Sequence, residues 1–304
     1  MNTVIQILGP TGVGKSQVAL AVAREFNAEI ISADSVQVYS GFDIGTDKIS
    51  PQFRREIPHH LIDIIEDCSQ FNASKFLDLS FAAAQEIIAR GRVPLVCGGT
   101  ALYHRVMIRG IFPESKKQTQ RQQLQSEAAS LGWDALRRQL EKIDPLYAKK
   151  IGPNDKVRLV RALEIYRNSG LPPSEAFRLT SSPFAAHCFI RIGLQVDRDL
   201  LYQNICKRVD RMLANGLIDE VKRLLESHPP SCPPFRSLGY KEILSYLRGE
   251  TDLATARELI QCHSRQFAKR QLSWFRQEKD IEWFAAEDKA AIMEFIKKCL
   301  SKEP

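Results

Sequence analysis

Apolar and polar positions alternate in blocks that switch between two periods along this chain. Val4-Ile5-Gln6-Ile7-Leu8 is a short apolar run of strand type. Gln17 to Phe26 follows, with Val18, Ala21, Val22 and Phe26 at helical spacing. Ala28-Glu29-Ile30-Ile31-Ser32-Ala33 predicts a second strand, ending at Asp34. Residues 36–68 are irregular, with Gly41, Gly45, Pro51, Pro58 and the pair His59-His60. A connection this long is usually functional or mobile. Residues 73–90 carry a broad apolar helical face, and Gly91 ends them. Val93-Pro94-Leu95-Val96-Cys97 predicts a third strand, running into Gly98-Gly99-Thr100 and a helix from Ala101 to Arg109. Strand and helix alternate throughout, which predicts a doubly wound parallel sheet.

Near Pro113 the pattern changes. From 114 to about 180 only helical spacing is present, strongest in Asp155 to Asn168 (DKVRLVRALEIYRN). Residues 188–196 (CFIRIGLQV) alternate again like a strand. The chain therefore divides into a discontinuous α/β core, 1–113 with 187–304, and an all-helical insertion, 114–186. The C-terminal part of the core is mostly helical. Its two helical stretches, 199–226 and 236 onward, are separated by a Pro-rich loop.

Composition narrows the function classes. At 304 residues, 44% hydrophobic, the chain can bury a large core. No apolar run reaches the ~20 residues of a membrane span, and no secretory signal pattern is present at the N-terminus. Seven cysteines are scattered without a C-x-x-C pair, which reads as reduced cytosolic thiols and not as a disulfide frame or zinc site. The +7 net charge admits a nucleic acid partner without requiring one.

Three features carry candidate chemistry. Gly9-Pro10-Thr11-Gly12-Val13-Gly14-Lys15-Ser16 fits G-x-x-x-x-G-K-[ST] between a strand and a helix. That context makes it a phosphate cradle, with Lys15 as the charge and the Ser16 hydroxyl as a ligand for Mg²⁺. Asp34, at a strand end, either faces the same crevice or caps a turn; both readings stand. Between Gln261 and Lys279 five Lys or Arg face one acid, and Arg265, Lys269 and Arg276 fall within about 40° of one another on a helix. The stripe is either a phosphate-tracking face or a solvated one. Phe267 and Trp274, on the other side, are expected to anchor the helix.

These pieces together resemble the tRNA dimethylallyltransferases, also called tRNA isopentenyltransferases. The matching stretches, in order, are GPTGVGKS (9–16), DSVQVY (34–39), DIGTDK (43–48), PHHLIDI (58–64), GGTALY (98–103), NDKVRLVRALEIY (154–166), RVDRMLANGL (208–217), GYKE (239–242) and SRQFAKRQLSWFR (264–276). Ser264 and Ser273 stand where the family usually has Thr, and keep the hydroxyl. The zinc-finger extension of many eukaryotic members is not found, so the resemblance is to the compact bacterial type. It implies a P-loop NTPase-like core that moves a dimethylallyl group from dimethylallyl diphosphate to the exocyclic amine of adenosine 37, in the anticodon loop of tRNA. The enzyme is expected to be cytoplasmic and monomeric and to use Mg²⁺.

By resemblance, Asp34 removes the amine proton. Thr11 and Arg208 help hold the diphosphate, and Thr100 lies near the base. The implied tRNA contacts are Asp34, Ser35, Val36, Gln37 and Thr100. In the insertion they are Val157, Arg158, Leu159, Val160 and Arg161. The rest are Pro234, Phe235, Arg236, Ser237, Leu238 and Gly239, and then Lys269, Arg270, Gln271, Ser273, Trp274 and Arg276. The alternatives weighed are an adenylate isopentenyltransferase, a small-molecule kinase and a non-catalytic RNA-binding protein.

Overall fold

A computed structural model describes residues 2–112 and 118–301. The break read at 113/114 lies outside the described residues. The strands are β1 (Thr3–Leu8), β2 (Ala28–Ser32), β3 (His59–His60), β4 (Val93–Gly98), β5 (Cys188–Gln195) and β6 (Glu282–Ala285). They form one sheet in the order β3-β2-β4-β1-β5-β6, with every neighbouring pair parallel. Ile5 sits between Leu95 and Ile190 in register, and Ile30 opposite Leu95. All six residues of β1 are buried, Thr3 and Gln6 included. A parallel sheet covered on both faces has that signature.

The helices between β1 and the insertion are α1 (Lys15–Glu25), α2 (Pro51–Glu56), α3 (Ala73–Ala89) and α4 (Ala101–Arg109). In the insertion they are α5 (Gln118–Leu131), α6 (Trp133–Ile143), α7 (Pro145–Lys150), α8 (Lys156–Ser169) and α9 (Pro173–Ala176). After β5 come α10 (Arg198–Ala214), α11 (Leu217–Ser227), α12 (Tyr240–Leu247), α13 (Leu253–Phe275) and α14 (Lys289–Leu300). Two compact units result: residues 1–105 with 186–304, and residues 106–185.

Two apolar centres of the first unit bear on the site. One packs α1 and α14 on the sheet through Ile5, Ile7, Leu20, Val22, Ile192, Leu194, Ile292 and Ile296. The other gathers Val38, Phe42, Val209, Leu217, Phe235 and Tyr240 around the loop after β2. The helical unit closes on Leu124, Leu136, Leu140, Leu159, Val160 and Leu163. Asp144 accepts from Tyr147 N–H and from Ser174 N–H, tying α7 to the start of α9. Those bonds hold its carboxyl below the usual range, against the upward push of burial, the largest single effect on it.

The structure corrects four expectations. Cys68 and Cys232, 164 residues apart, are joined by a disulfide with Cα atoms 5.0 Å apart, so not every thiol is free. The pairing comes from the fold around Phe42 and Phe235, which residue spacing does not reveal. Segment 36–68 contains a short helix, α2, and a two-residue edge strand, β3. A sixth strand and a final helix follow the basic helix. Finally, α13 buries Ile260, Ser264, Ala268, Gln271 and Phe275, while Phe267 and Trp274 are only half-buried at the flank. Trp274 is covered there by the Arg105 guanidinium, 3.5 Å from the ring centroid.

Candidate active site

The site lies where β1, β2 and β4 end. Gly14 caps α1 with φ 96°, a value an L side chain adopts only under strain, and no side chain caps the helix. Free N–H groups at that helix end suit an anion. Lys15 Nζ donates to Pro10 O at 2.8 Å. Burial, the largest influence, lowers the Lys15 pKa to about 8; the charges of Arg208 and Asp34 act on it in opposite directions. Lys15, Arg208 and Asp34 therefore share one electrostatic neighbourhood. Burial also raises the adjacent Cys97 thiol to about 11, so it stays protonated at neutral pH.

Thr11 joins the loop to two distant elements. Its Oγ1 accepts from Arg208 Nη1 at 2.6 Å, and its N–H donates to Gln271 Oε1 at 2.9 Å. Arg208, on α10, is oriented by Asp47 Oδ2 at 2.9 Å and by Thr46 O.

Asp34 follows β2 and satisfies both readings left open by the sequence. Its Oδ1 accepts from Val36 N–H at 2.8 Å and Gln37 N–H at 3.2 Å, closing a turn. Its Oδ2 has no hydrogen-bond partner among the described residues. Gly98 makes the neighbouring turn possible: a Cβ there would stand 2.2 Å from Ala33 O. With that space kept, Thr100 N–H donates to Ala33 O at 3.1 Å, which sets Thr100 beside Asp34. Gln37 has both amide ends in use, accepting from Ser32 Oγ and donating to Thr46 O.

Nothing in the sequence marks Glu220 as a site residue. It lies on α11, 1% exposed, and accepts from the backbone N–H groups of Asp43, Ile44 and Gly45 and from Tyr240 Oη. It thus templates the loop that carries Thr46 and Asp47 to Arg208. Burial and then the Glu220 charge push the Tyr240 hydroxyl pKa far up. Glu220 has no motif of its own; acids in an amphipathic helix are ordinarily solvated.

The implied RNA contacts sort by exposure. Ser35, Arg236, Lys269, Arg270, Ser273 and Arg276 are exposed, as are Val157 and Arg158 in the helical unit. Val36, Ser237, Leu238, Trp274 and Arg161 are half-buried. Arg161 donates to Phe112 O and pairs with Glu164. Leu159, Val160, Pro234, Phe235 and Gln271 are buried. Gly239 is also buried, and Glu242 accepts from its N–H. Among the described residues no carboxylate pairs with Lys269, Arg270 or Arg276, whereas Arg265 of the same helix is half-buried and donates to Cys206 Sγ.

His59 and His60 sit on the edge strand, where His60 meets buried Glu29 at 2.7 Å. A cavity of about 530 Å³ there is lined by Glu29, Pro58, His60, Arg90 and Arg92. It lies at the opposite end of β2 and β4 from Asp34. No group of three His, Cys, Asp or Glu among the described residues could hold a metal. Ser16 is exposed on the first turn of α1. A lone hydroxyl beside a phosphate cradle fits Mg²⁺ held mainly by substrate phosphates and water.

Comparison with known proteins places this arrangement. The IPP transferase family matches residues 37–278, and the isopentenyl transferase family matches residues 2–54. A tRNA dimethylallyltransferase of Halothermothrix orenii is 44% identical over 286 residues, 93% of this chain and 87% of its own. One from Heliobacterium modesticaldum is 44% identical over 295 residues, 95% and 92% of the two chains. The crystal structure of a tRNA isopentenylpyrophosphate transferase from Bacillus halodurans superposes with TM-score 0.73 at 38% identity, covering 99% of this chain and 97% of that one. A eukaryotic dimethylallyltransferase acting on tRNA gives TM-score 0.85 at 31% identity, covering 100% and 81%. The phosphate loop, the carboxylate at the end of β2 and these full-length similarities agree: this chain belongs to the IPP transferase family, among the tRNA dimethylallyltransferases.

Proposed function

We propose that this enzyme transfers the dimethylallyl group of dimethylallyl diphosphate to the exocyclic amine of adenosine 37 in tRNA, releasing diphosphate. The observation that carries this reading is Asp34: a carboxylate with one oxygen free, set beside Thr100 and in the electrostatic field of Lys15. A kinase would place a hydroxyl acceptor there. Here the acceptor is an aromatic amine whose lone pair is delocalised, so it attacks well only as its proton leaves. The amine nitrogen bonds to the allylic carbon. The carbon–oxygen bond breaks with its electron pair going to diphosphate, and the proton passes to Asp34 Oδ2. Lys15, the loop N–H groups, Thr11 and Arg208 stabilise charge on the leaving oxygen. The Ser16 hydroxyl, with the substrate phosphates, would hold Mg²⁺, which would supply further charge neutralisation.

The target base belongs to the anticodon loop, where splaying out a base costs little. Ser35, Arg236, Lys269, Arg270, Ser273 and Arg276 contact RNA from the sheet-bearing unit. Val157 and Arg158 do so from the helical unit. The enzyme acts as a monomer in the cytoplasm, where its tRNA is found; no described helix is long and apolar enough to cross a membrane. The test is an acceptor competition with labelled dimethylallyl diphosphate, offering unmodified tRNA or AMP, and in parallel labelled ATP with candidate acceptors. Label should enter tRNA alone. Label in AMP, or phosphoryl transfer from ATP, would replace this reading with one of its rivals.

A further inference from the structure

Gln271 is 6% exposed on the inner face of α13, with both ends of its amide committed. Oε1 accepts from Thr11 N–H at 2.9 Å, and Nε2 donates to Gly99 O at 2.8 Å. Its two partners belong to the two tight turns that frame the site, the phosphate loop after β1 and the turn after β4. A side chain so engaged is not available to RNA, although Lys269, Arg270 and Ser273 on the same helix face outward.

We propose that Gln271 is a positioning residue for the transfer. It sets the spacing between the loop that holds the leaving diphosphate and the turn that abuts Asp34 and Thr100, where the amine enters. The inference rests on the reading of the site given above. The geometry calls for one planar group with an acceptor at one end and a donor at the other, and the carboxamide supplies both. A thioether of the same length supplies neither. A carboxylate accepts from Thr11 but sets its second oxygen against Gly99 O. When that carboxylate is protonated it again accepts at one oxygen and donates at the other. The nitrogen–carbon bond forms as the carbon–oxygen bond breaks, so a loss of spacing acts on the chemical step; a displacement of about 1 Å costs on the order of 100-fold.

The experiment uses the full chain with Gln271→Met and Gln271→Glu. Steady-state kinetics with dimethylallyl diphosphate and unmodified tRNA are paired with tRNA retention on filters. Gln271→Met should lower kcat ~100-fold while tRNA affinity stays within about twofold. For Gln271→Glu, kcat relative to the parent should climb as pH falls from about 8 to about 6, because burial raises the introduced carboxyl against the opposing pull of the nearby Lys15 ammonium, and protonation restores its donor. The same ratio for Gln271→Met should stay flat. Should Gln271→Met fail to fold, the pH ratio for Gln271→Glu decides alone. Loss of tRNA affinity with kcat intact would make Gln271 an RNA contact and overturn the proposal, as would an unchanged kcat or a flat ratio for Gln271→Glu. Failure of the broader reading shows separately, because the parent enzyme would then transfer no dimethylallyl group to tRNA.

Discussion

Removing the Glu220 carboxylate should damage both the fold and the reaction, although this side chain faces no substrate. Its four donors are Asp43 N–H at 3.1 Å, Ile44 N–H at 2.7 Å, Gly45 N–H at 3.1 Å and Tyr240 Oη at 2.6 Å. In Glu220→Ala the first two, at a partly open edge, can find water. The Gly45 N–H and the Tyr240 hydroxyl remain enclosed, since Tyr240 is 0% exposed. Each buried donor left without an acceptor costs about 1–3 kcal/mol, giving roughly 2–6 kcal/mol for the pair. Whole-protein stabilities are about 5–15 kcal/mol, so a large share is at risk. The midpoint of thermal unfolding should fall by roughly 3–9 °C. Tyr240→Phe removes one bond and leaves the carboxylate its other three donors, so it should cost only about 1 kcal/mol. Circular dichroism through a urea titration measures both variants. Below the midpoint of Glu220→Ala, kcat/KM for the donor should also drop, because the loop that orients Arg208 through Thr46 and Asp47 is no longer held. Glu220 has no such role if Glu220→Ala lies within about 0.5 kcal/mol of the parent, or if it costs no more than Tyr240→Phe.

Three other outcomes are expected. Asp34→Asn should lower kcat by ~10²–10⁴ with tRNA binding preserved; loss of both together would make Asp34 a structural turn residue. The Lys15 pKa near 8 predicts that kcat/KM for dimethylallyl diphosphate falls as pH rises through that value, since the free enzyme then loses its loop charge. The unfolded chain keeps that proton up to about 10.5, so this group's contribution to folding stability rises with pH between the two values. Lys15→Met should abolish both dependences. Lys269→Ala and Arg276→Ala should each weaken tRNA binding, with kcat at saturating tRNA unchanged. Each should also reduce the slope of log K against log salt by roughly 0.7–0.9 for every phosphate no longer neutralised.

The local part of the site is legible in the sequence. A strand, a glycine-rich turn and a helix are written within residues 4–26, and Asp34 follows a strand of five apolar or small residues in six. These features depend on neighbours in the chain. The elements that the sequence hides depend on partners far away. β3 and β6 have two and four residues, and their strand character comes from pairing with β2 and β5 rather than from periodicity. Glu220 reads as a solvated acid in LIDEVKRLLES until the fold brings the 43–45 amides to it. Cys68 and Cys232 carry no spacing signal. On α13 apolarity alone selects Phe267 and Trp274, whereas the face turned inward includes Ser264 and Gln271. Gln271 is tolerated there because the interior offers it partners, as its bonds to Thr11 and Gly99 show.

In the proposed reaction the phosphate loop holds a leaving group and the atom attacked is carbon. Nuclease digestion of tRNA after reaction with dimethylallyl diphosphate, followed by mass spectrometry of the nucleosides, tests it directly. A single new adenosine is expected, heavier by one five-carbon unit and released from the fragment containing position 37, with one diphosphate formed per nucleoside. A phosphorylated product, or a five-carbon adduct elsewhere in the tRNA, would contradict it.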